Sequence, residues 1–174
     1  MATRRDVLEF AILGVLGDGP LHGYEIRKRL ALVLGPFRAL SYGSLYPCLR
    51  RLEGRGLIEN VAETPADESL APPLSGRRAR VVYAITADGK EEFGVWANSP
   101  GPEAWEDEGF AAHLAFFSRT EARARLRILE GRRSTVEERI DALRDSLVRS
   151  RAKVDAYTEQ LQRHGLEGAE REVR

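Results

Sequence analysis

The chain has 174 residues, 43% hydrophobic and 31% charged, enough to bury a core without disulfides or metals. Its single cysteine, Cys48, excludes an internal disulfide framework and a multi-cysteine zinc site, and no apolar run approaches the ~20 residues needed to span a bilayer. The 27 basic side chains balance 27 acidic ones, which argues against nucleic acid as a partner only if charge is averaged over the whole chain.

Met1-Ala-Thr-Arg-Arg followed by the apolar run Val7 to Leu16 imitates a signal peptide. Asp6 and Glu9 interrupt it, and Gly17-Asp-Gly-Pro20 is a turn rather than a cleavage site, so a cytoplasmic protein is expected. The run predicts a first helix, about Arg5 to Leu16, apolar on nearly every face and therefore buried all round. Such burial near a terminus suggests a subunit interface as well as a core, with Leu8 and Ile12 as dimer contacts.

A second helix is predicted from Leu21 to Leu34, with Ile26, Leu30, Val33 and Leu34 facing inward. Gly35-Pro36 stops it. Ser41 can cap a third helix whose first turn holds Gly43, Ser44 and Pro47, and whose inner stripe is Leu45, Cys48, Leu49 and Leu52. Gly54 and Gly56 close it. Two strands follow, Leu57 to Glu63 and Arg80 to Thr86, joined by a long loop from Thr64 to Arg78. Thr86 then caps a fourth helix through Trp96.

Pro102 is the last proline, and beyond it the chain becomes an Arg/Glu/Ala/Leu helix former. Trp105 to Phe117 reads as one helix, and Ser118-Arg-Thr-Glu121 as a capping box opening the next. A 3–4 apolar rhythm then runs through Leu126, Leu129, Val136, Ile140, Leu143, Leu147, Val154, Tyr157 and Leu161, with polar interruptions at Arg133 and Ser150. That pattern reads as a coiled-coil dimerisation seam. Unbroken from Arg119 to Arg163, the helix would be about 68 Å long; two helices folded together give the same rhythm, with Gly131 the expected kink.

Three short helices and a hairpin are the order of a winged helix-turn-helix, in which the third helix enters the major groove and the wing lies beside it. The predicted fold is therefore mainly α, with a DNA-binding domain over residues 1–98 and a helical dimerisation and effector region over 103–174. From Leu21 to Gly56 there are seven basic residues against two acidic, a local charge of +5. Local charge is what governs phosphate contacts. Candidate DNA contacts are Tyr42, Ser44, Tyr46, Arg50 and Arg51 off the apolar stripe of the third helix, together with its cap Ser41. His22 and Tyr24 at the start of the second helix, where amides can hold a phosphate, and Arg77, Arg78 and Arg80 of the wing complete the set. Tyr24 as core packing, and Tyr46 packed on the second helix, remain open readings.

The chemistry of an enzyme is missing. His22, His113 and His164 share no ligand spacing, Cys48 falls on an apolar stripe, and there is neither a phosphate-binding glycine loop nor a zinc-protease motif. No cofactor or metal is expected. Trp96, Trp105, Phe110, Phe116 and Phe117 cluster around the joint between the two parts, either as a small-molecule site or as interface core.

The motifs His22-Gly-Tyr-Glu-Ile26, Ser41-Tyr-Gly-Ser-Leu-Tyr-Pro47, Leu49-Arg-Arg-Leu-Glu53, Gly56-Leu-Ile-Glu59 and Tyr83-Ala-Ile-Thr86 with Gly89-Lys90 resemble the PadR family of bacterial transcriptional regulators. The resemblance covers about Val7 to Val95. The tail resembles, more loosely, the dimerising C-terminal region of the family's longer members, and the wing loop is longer than usual. The resemblance implies a homodimeric repressor on double-stranded DNA bearing an inverted repeat of the ATGT/ACAT type, released by a small-molecule effector. The competing readings are a winged-helix regulator of the MarR type and a helical protein-interaction module without DNA specificity.

Overall fold

The computed structural model describes residues 4–34, 42–61, 81–150 and 156–173. Helix α1 (Arg4–Leu16) lies at the centre: residues 7–16 are all buried, because α2 (Gly23–Leu34), α3 (Tyr42–Gly54), α4 (Ala87–Ala97) and α6 (Asp107–Ala115) surround it. A helix apolar on every face needs cover on every face, and this chain supplies it alone. Leu8 and Ile12, 7% and 0% exposed, are spent on this core, which corrects their reading as dimer contacts.

The stripes of α2 and α3 close over α1. Ile26 and Leu30 of α2, and Leu45, Cys48, Leu49 and Leu52 of α3, are at most 1% exposed. Pro47 lies in the second turn of α3 rather than its first, so the helix gives up one hydrogen bond there. Strand β1 (Leu21–His22) stands where the sequence predicted the start of the second helix; the turn at Gly19 leaves these two residues extended. Strands β2 (Ile58–Val61) and β3 (Val82–Ile85) form the hairpin, and the antiparallel order is β1-β3-β2. The register pairs Leu21 with Tyr83 and Ile58 with Ile85. Tyr83 is buried and Val81 and Ile85 pack on the core, so this face of the strand is the inner one.

Thr86 caps α4 as predicted, its hydroxyl oxygen accepting from the Gly89 amide at 3.0 Å. The stretch predicted as one helix from Trp105 to Phe117 is broken into α5 (Pro102–Trp105), α6 and a 3₁₀ turn (Phe117–Arg119), with Glu106 extended between the first two. The break has a packing reason. A Cβ at Gly109 would collide with the Glu103 carbonyl oxygen, so α6 turns back closely over α5. The predicted capping box is not formed either: Ser118 lies in the 3₁₀ turn, the Thr120 hydroxyl donates to the Phe116 carbonyl, and Asn98 accepts from the Glu121 amide at 2.8 Å.

Helix α7 (Ala122–Ser150) runs through Gly131 without a break. Gly131 serves instead as the seat of the Trp105 ring, which a Cβ would strike. The chain reverses before α8 (Ala156–Val173), so there is no single helix from Arg119 to Arg163. Arg132, a third of the way along α7, meets Glu172, near the end of α8, at 2.5 Å, and Val136 and Ile140 bury Ala169. These two seam residues therefore face a helix of their own chain, the alternative the rhythm had left open. The buried face of α7 follows Ala124, Ile128, Arg132, Val136 and Ile140, while Leu143 is half-buried. Leu126, Leu129 and Leu161 are exposed. Leu147 and Tyr157 lie on described helices with undescribed side chains, and Val154 lies outside the described residues. No helix among the described residues is long and apolar enough to cross a membrane.

Candidate nucleic-acid interface

The outer face of α3 follows from its inner one. With Leu45, Cys48, Leu49 and Leu52 locked into the core, the 3.6-residue period turns Ser44, Tyr46 and Arg50 outward, and all three are exposed. The Cys48 thiol is shut in by the same packing. Burial, reinforced by the Glu9 carboxylate, pushes it up to about 12, which removes it as a nucleophile.

Helix α2 meets α3 at Gly23. A Cβ there would lie 3.3 Å from the Tyr46 hydroxyl oxygen, so the ring rests on the start of α2 while its edge stays exposed. Tyr46 thus packs on the second helix and still reaches the surface. Tyr24 is 65% exposed, which excludes the core reading. The His22 amide donates to the Glu25 carboxylate at 3.0 Å, half of a capping box. That carboxylate already answers the positive end of α2, so a phosphate bound there must compete with it. Burial pushes the Tyr83 hydroxyl up, helped by Glu53 and Tyr46 and opposed by Arg50.

Neighbouring arginines of α3 have different fates. Arg50 points to solvent. Arg51 bonds to the buried carboxylate of Glu9 on α1 at 2.6 Å, and Glu9 holds the guanidinium above its ordinary range. Arg51, expected as a DNA contact, thus stands in an ion pair with Glu9 while its side chain stays 40% exposed. Nothing in the sequence separates the two adjacent arginines; only the angle of α3 on α1 does. Ser41, Arg77, Arg78 and Arg80 lie outside the described residues, and Tyr42 lies on α3 with an undescribed side chain.

The five aromatics near the joint do not line one pocket. Phe116 is core, edge-on to Phe10 and Phe93 at 5.6 and 5.5 Å between centroids. Trp105 covers Gly131, Phe110 lies under Arg132 at 5.1 Å, and Phe117 begins the 3₁₀ turn. Trp96 alone among them lines the joint cavity of about 270 Å³, with Asp6, Val7, Phe10, Ser99, Glu103, Gly109 and His113. Sequence reasoning missed Phe10 and His113, which stack at 4.5 Å. The His113 ring reaches the Gly109 carbonyl at 3.0 Å and the Trp96 carbonyl at 3.3 Å, tying α6 to the end of α4. No group of three His, Cys, Asp or Glu side chains among the described residues is placed to hold a metal.

Residues 12–95 match the Transcriptional regulator PadR-like family. The chain is 31% identical over 121 residues to the "Negative transcriptional regulator PadR" of Bacillus subtilis (strain 168), an alignment that covers 67% of this chain and 61% of that protein. The chain thus spans about three fifths of that relative's length. Bacillus subtilis PadR in complex with operator DNA aligns with 96% of this chain and 93% of its own at 24% identity, with a TM-score of 0.45. Its complex with p-coumaric acid aligns with 96% and 92% at 24% identity, with a TM-score of 0.43. The family is one of transcriptional regulators and not of enzymes, and residues 12–95 of this chain carry its PadR-like domain.

Proposed function

We propose that the chain is a sequence-specific DNA-binding repressor that acts as a homodimer on an inverted repeat and is released by a small-molecule effector. The observation that carries this reading is the outer face of α3. Ser44, Tyr46 and Arg50 stand exposed on a helix whose opposite face is fixed in the core, in the position where a winged helix-turn-helix reads the major groove. Tyr24 and the start of α2 border that face, and Arg77, Arg78 and Arg80, outside the described residues, are further proposed DNA contacts. The description of the Bacillus subtilis relative as a negative regulator favours repression.

In this reading residues 1–98 read DNA and residues 103–174 join two copies. The exposed leucines Leu126, Leu129 and Leu161, 57%, 45% and 72% exposed, support the second role. The effector enters the joint cavity beside Trp96, Phe10 and His113, between α1, α4 and α6, and acts only through different affinities for two arrangements of the joint. The match of residues 12–95 to the PadR-like family favours this reading over the MarR type.

Fluorescence anisotropy with duplex from the region upstream of the chain's own gene tests the reading. Saturable binding that weakens steeply with salt, and weakens further in Arg50→Ala, is expected. Equal affinity for unrelated duplex, unchanged in that variant, contradicts it and favours the protein-interaction module. Light scattering tests the dimer separately: Leu126→Glu/Leu129→Glu is expected to give monomers, and an unchanged dimer removes these leucines from the interface.

A further inference from the structure

Glu9 stands within ten consecutive buried residues, 7–16, and is itself 5% exposed. A carboxylate withdrawn from water to that degree requires opposite charge and hydrogen bonds. Both come from the end of α3. Arg51 Nε donates to Glu9 Oε1 at 2.6 Å, and Arg55 Nη1 donates to Oε2 at 2.8 Å. Arg55 is held twice more, by Glu92 of α4 at 3.1 Å and over the Trp96 ring at 5.9 Å from its centroid.

This arrangement changes the electrostatics of the reading surface. The +5 counted from Leu21 to Gly56 falls to +3 once Glu9 and Glu92, which lie outside that stretch, are placed against Arg51 and Arg55. Arg50, one residue from Arg51, is left to face solvent. An arginine on a phosphate adds affinity without regard to sequence, whereas a base contact discriminates. An arginine pair pinned from behind therefore does two things. It fixes the end of α3 against α1, and it keeps one cation from strengthening binding to every duplex alike.

We propose that Glu9 is a positioning and specificity-determining residue for DNA reading: its buried carboxylate withholds Arg51 from the phosphates and sets how α3 lies on α1. This rests on the DNA-reading role proposed above for α3. Released from Glu9, Arg51 is free to reach a phosphate, while Arg55 remains held by Glu92 and Trp96.

The test is the slope of log K against log salt for duplex from the upstream region and for an unrelated duplex. One extra phosphate contact steepens the slope by about 0.9. Glu9→Gln, which keeps the shape and an acceptor oxygen, is expected to steepen it by about that amount and to narrow the preference for the upstream duplex. Glu9→Gln/Arg51→Gln returns the slope to the wild-type value. In the wild-type background, Arg51→Gln leaves the slope in place whereas Arg50→Gln reduces it; these two variants carry the test even if Glu9→Gln does not fold. A slope lost equally in Arg51→Gln and Arg50→Gln overturns the proposal, as does a Glu9→Gln protein that folds and binds more weakly at every salt with no steepening. Wild-type protein that binds no duplex at any salt overturns the reading of α3 and this role for Glu9 together.

Discussion

Truncating Phe10 is the most informative test of how the part proposed to read DNA is joined to the rest. Its ring stacks on Phe93 of α4 at 5.1 Å and on His113 of α6 at 4.5 Å, and meets Phe116 edge-on at 5.6 Å. At 3% exposure its transfer from water contributes about 2 kcal/mol. Ring pairs of this kind contribute about 0.5–1.5 kcal/mol each beyond the area term, so Phe10→Ala is expected to destabilise the fold by about 4 kcal/mol, inside the range for buried Phe→Ala changes. Relaxation will recover little, because Phe10 already borders the cavity of about 270 Å³ and its removal enlarges that space. Urea denaturation followed by circular dichroism measures the loss, with Phe10→Leu as the control expected to retain most of the stability. A Phe10→Ala loss below about 1.5 kcal/mol, with unchanged denaturant dependence, would refute the packing argument.

Three further outcomes follow from individual contacts. Gly89→Ala drives a methyl group into the Leu57 carbonyl oxygen, which also accepts from the Thr86 amide at 3.1 Å; a melting temperature within a degree or two of wild type would contradict this close approach of α4 to the hairpin. Cys48, with its thiol pushed up to about 12 by burial, is expected to resist a disulfide reagent at pH 8 until denaturant is added, and rapid native labelling would show that α3 opens. Burial opposes the charge of Asp107, but hydrogen bonds from Arg132 and Arg139 prevail and hold its carboxyl below the usual range. Its contribution is therefore complete above the ordinary carboxylate value of about 4 and is lost as pH falls through the lower folded value. Urea midpoints should fall less steeply below that pH in Asp107→Asn, and parallel curves would exclude the Arg132 pair as a source of stability.

The helices, the hairpin and the cap at Thr86 were legible in the sequence because each has a local cause: an apolar period, a glycine stop, a threonine before a helix. What was not legible depends on how elements meet. The alternation of α7 marked Arg133 as an interrupted seam position, yet the structure exposes Arg133 to pair with Glu137 and buries Arg132, whose charge is met by Asp107 at 2.7 Å and Glu172 at 2.5 Å. A buried arginine leaves no mark in a hydrophobic pattern. The same holds for Glu9, which read as an interruption in an apolar run and is in fact the anchor for Arg51 of α3 and for Arg55 just beyond that helix. Trp96 was found but its partners Phe10 and His113 were not, since 85 residues lie between Phe10 and Trp96 and only the packing of α1, α4 and α6 brings the three to one cavity.

The central claim, that α3 reads DNA in a symmetric pair, is tested most directly by a hydroxyl-radical footprint on the chain's own upstream region. Two protected stretches on one face of the duplex are expected, related by a dyad and spaced by about 10 base pairs or a multiple of it. Both should fade together in Arg50→Ala while that protein's unfolding midpoint stays near wild type. Uniform protection along the duplex, or a footprint unchanged in Arg50→Ala, would contradict the account.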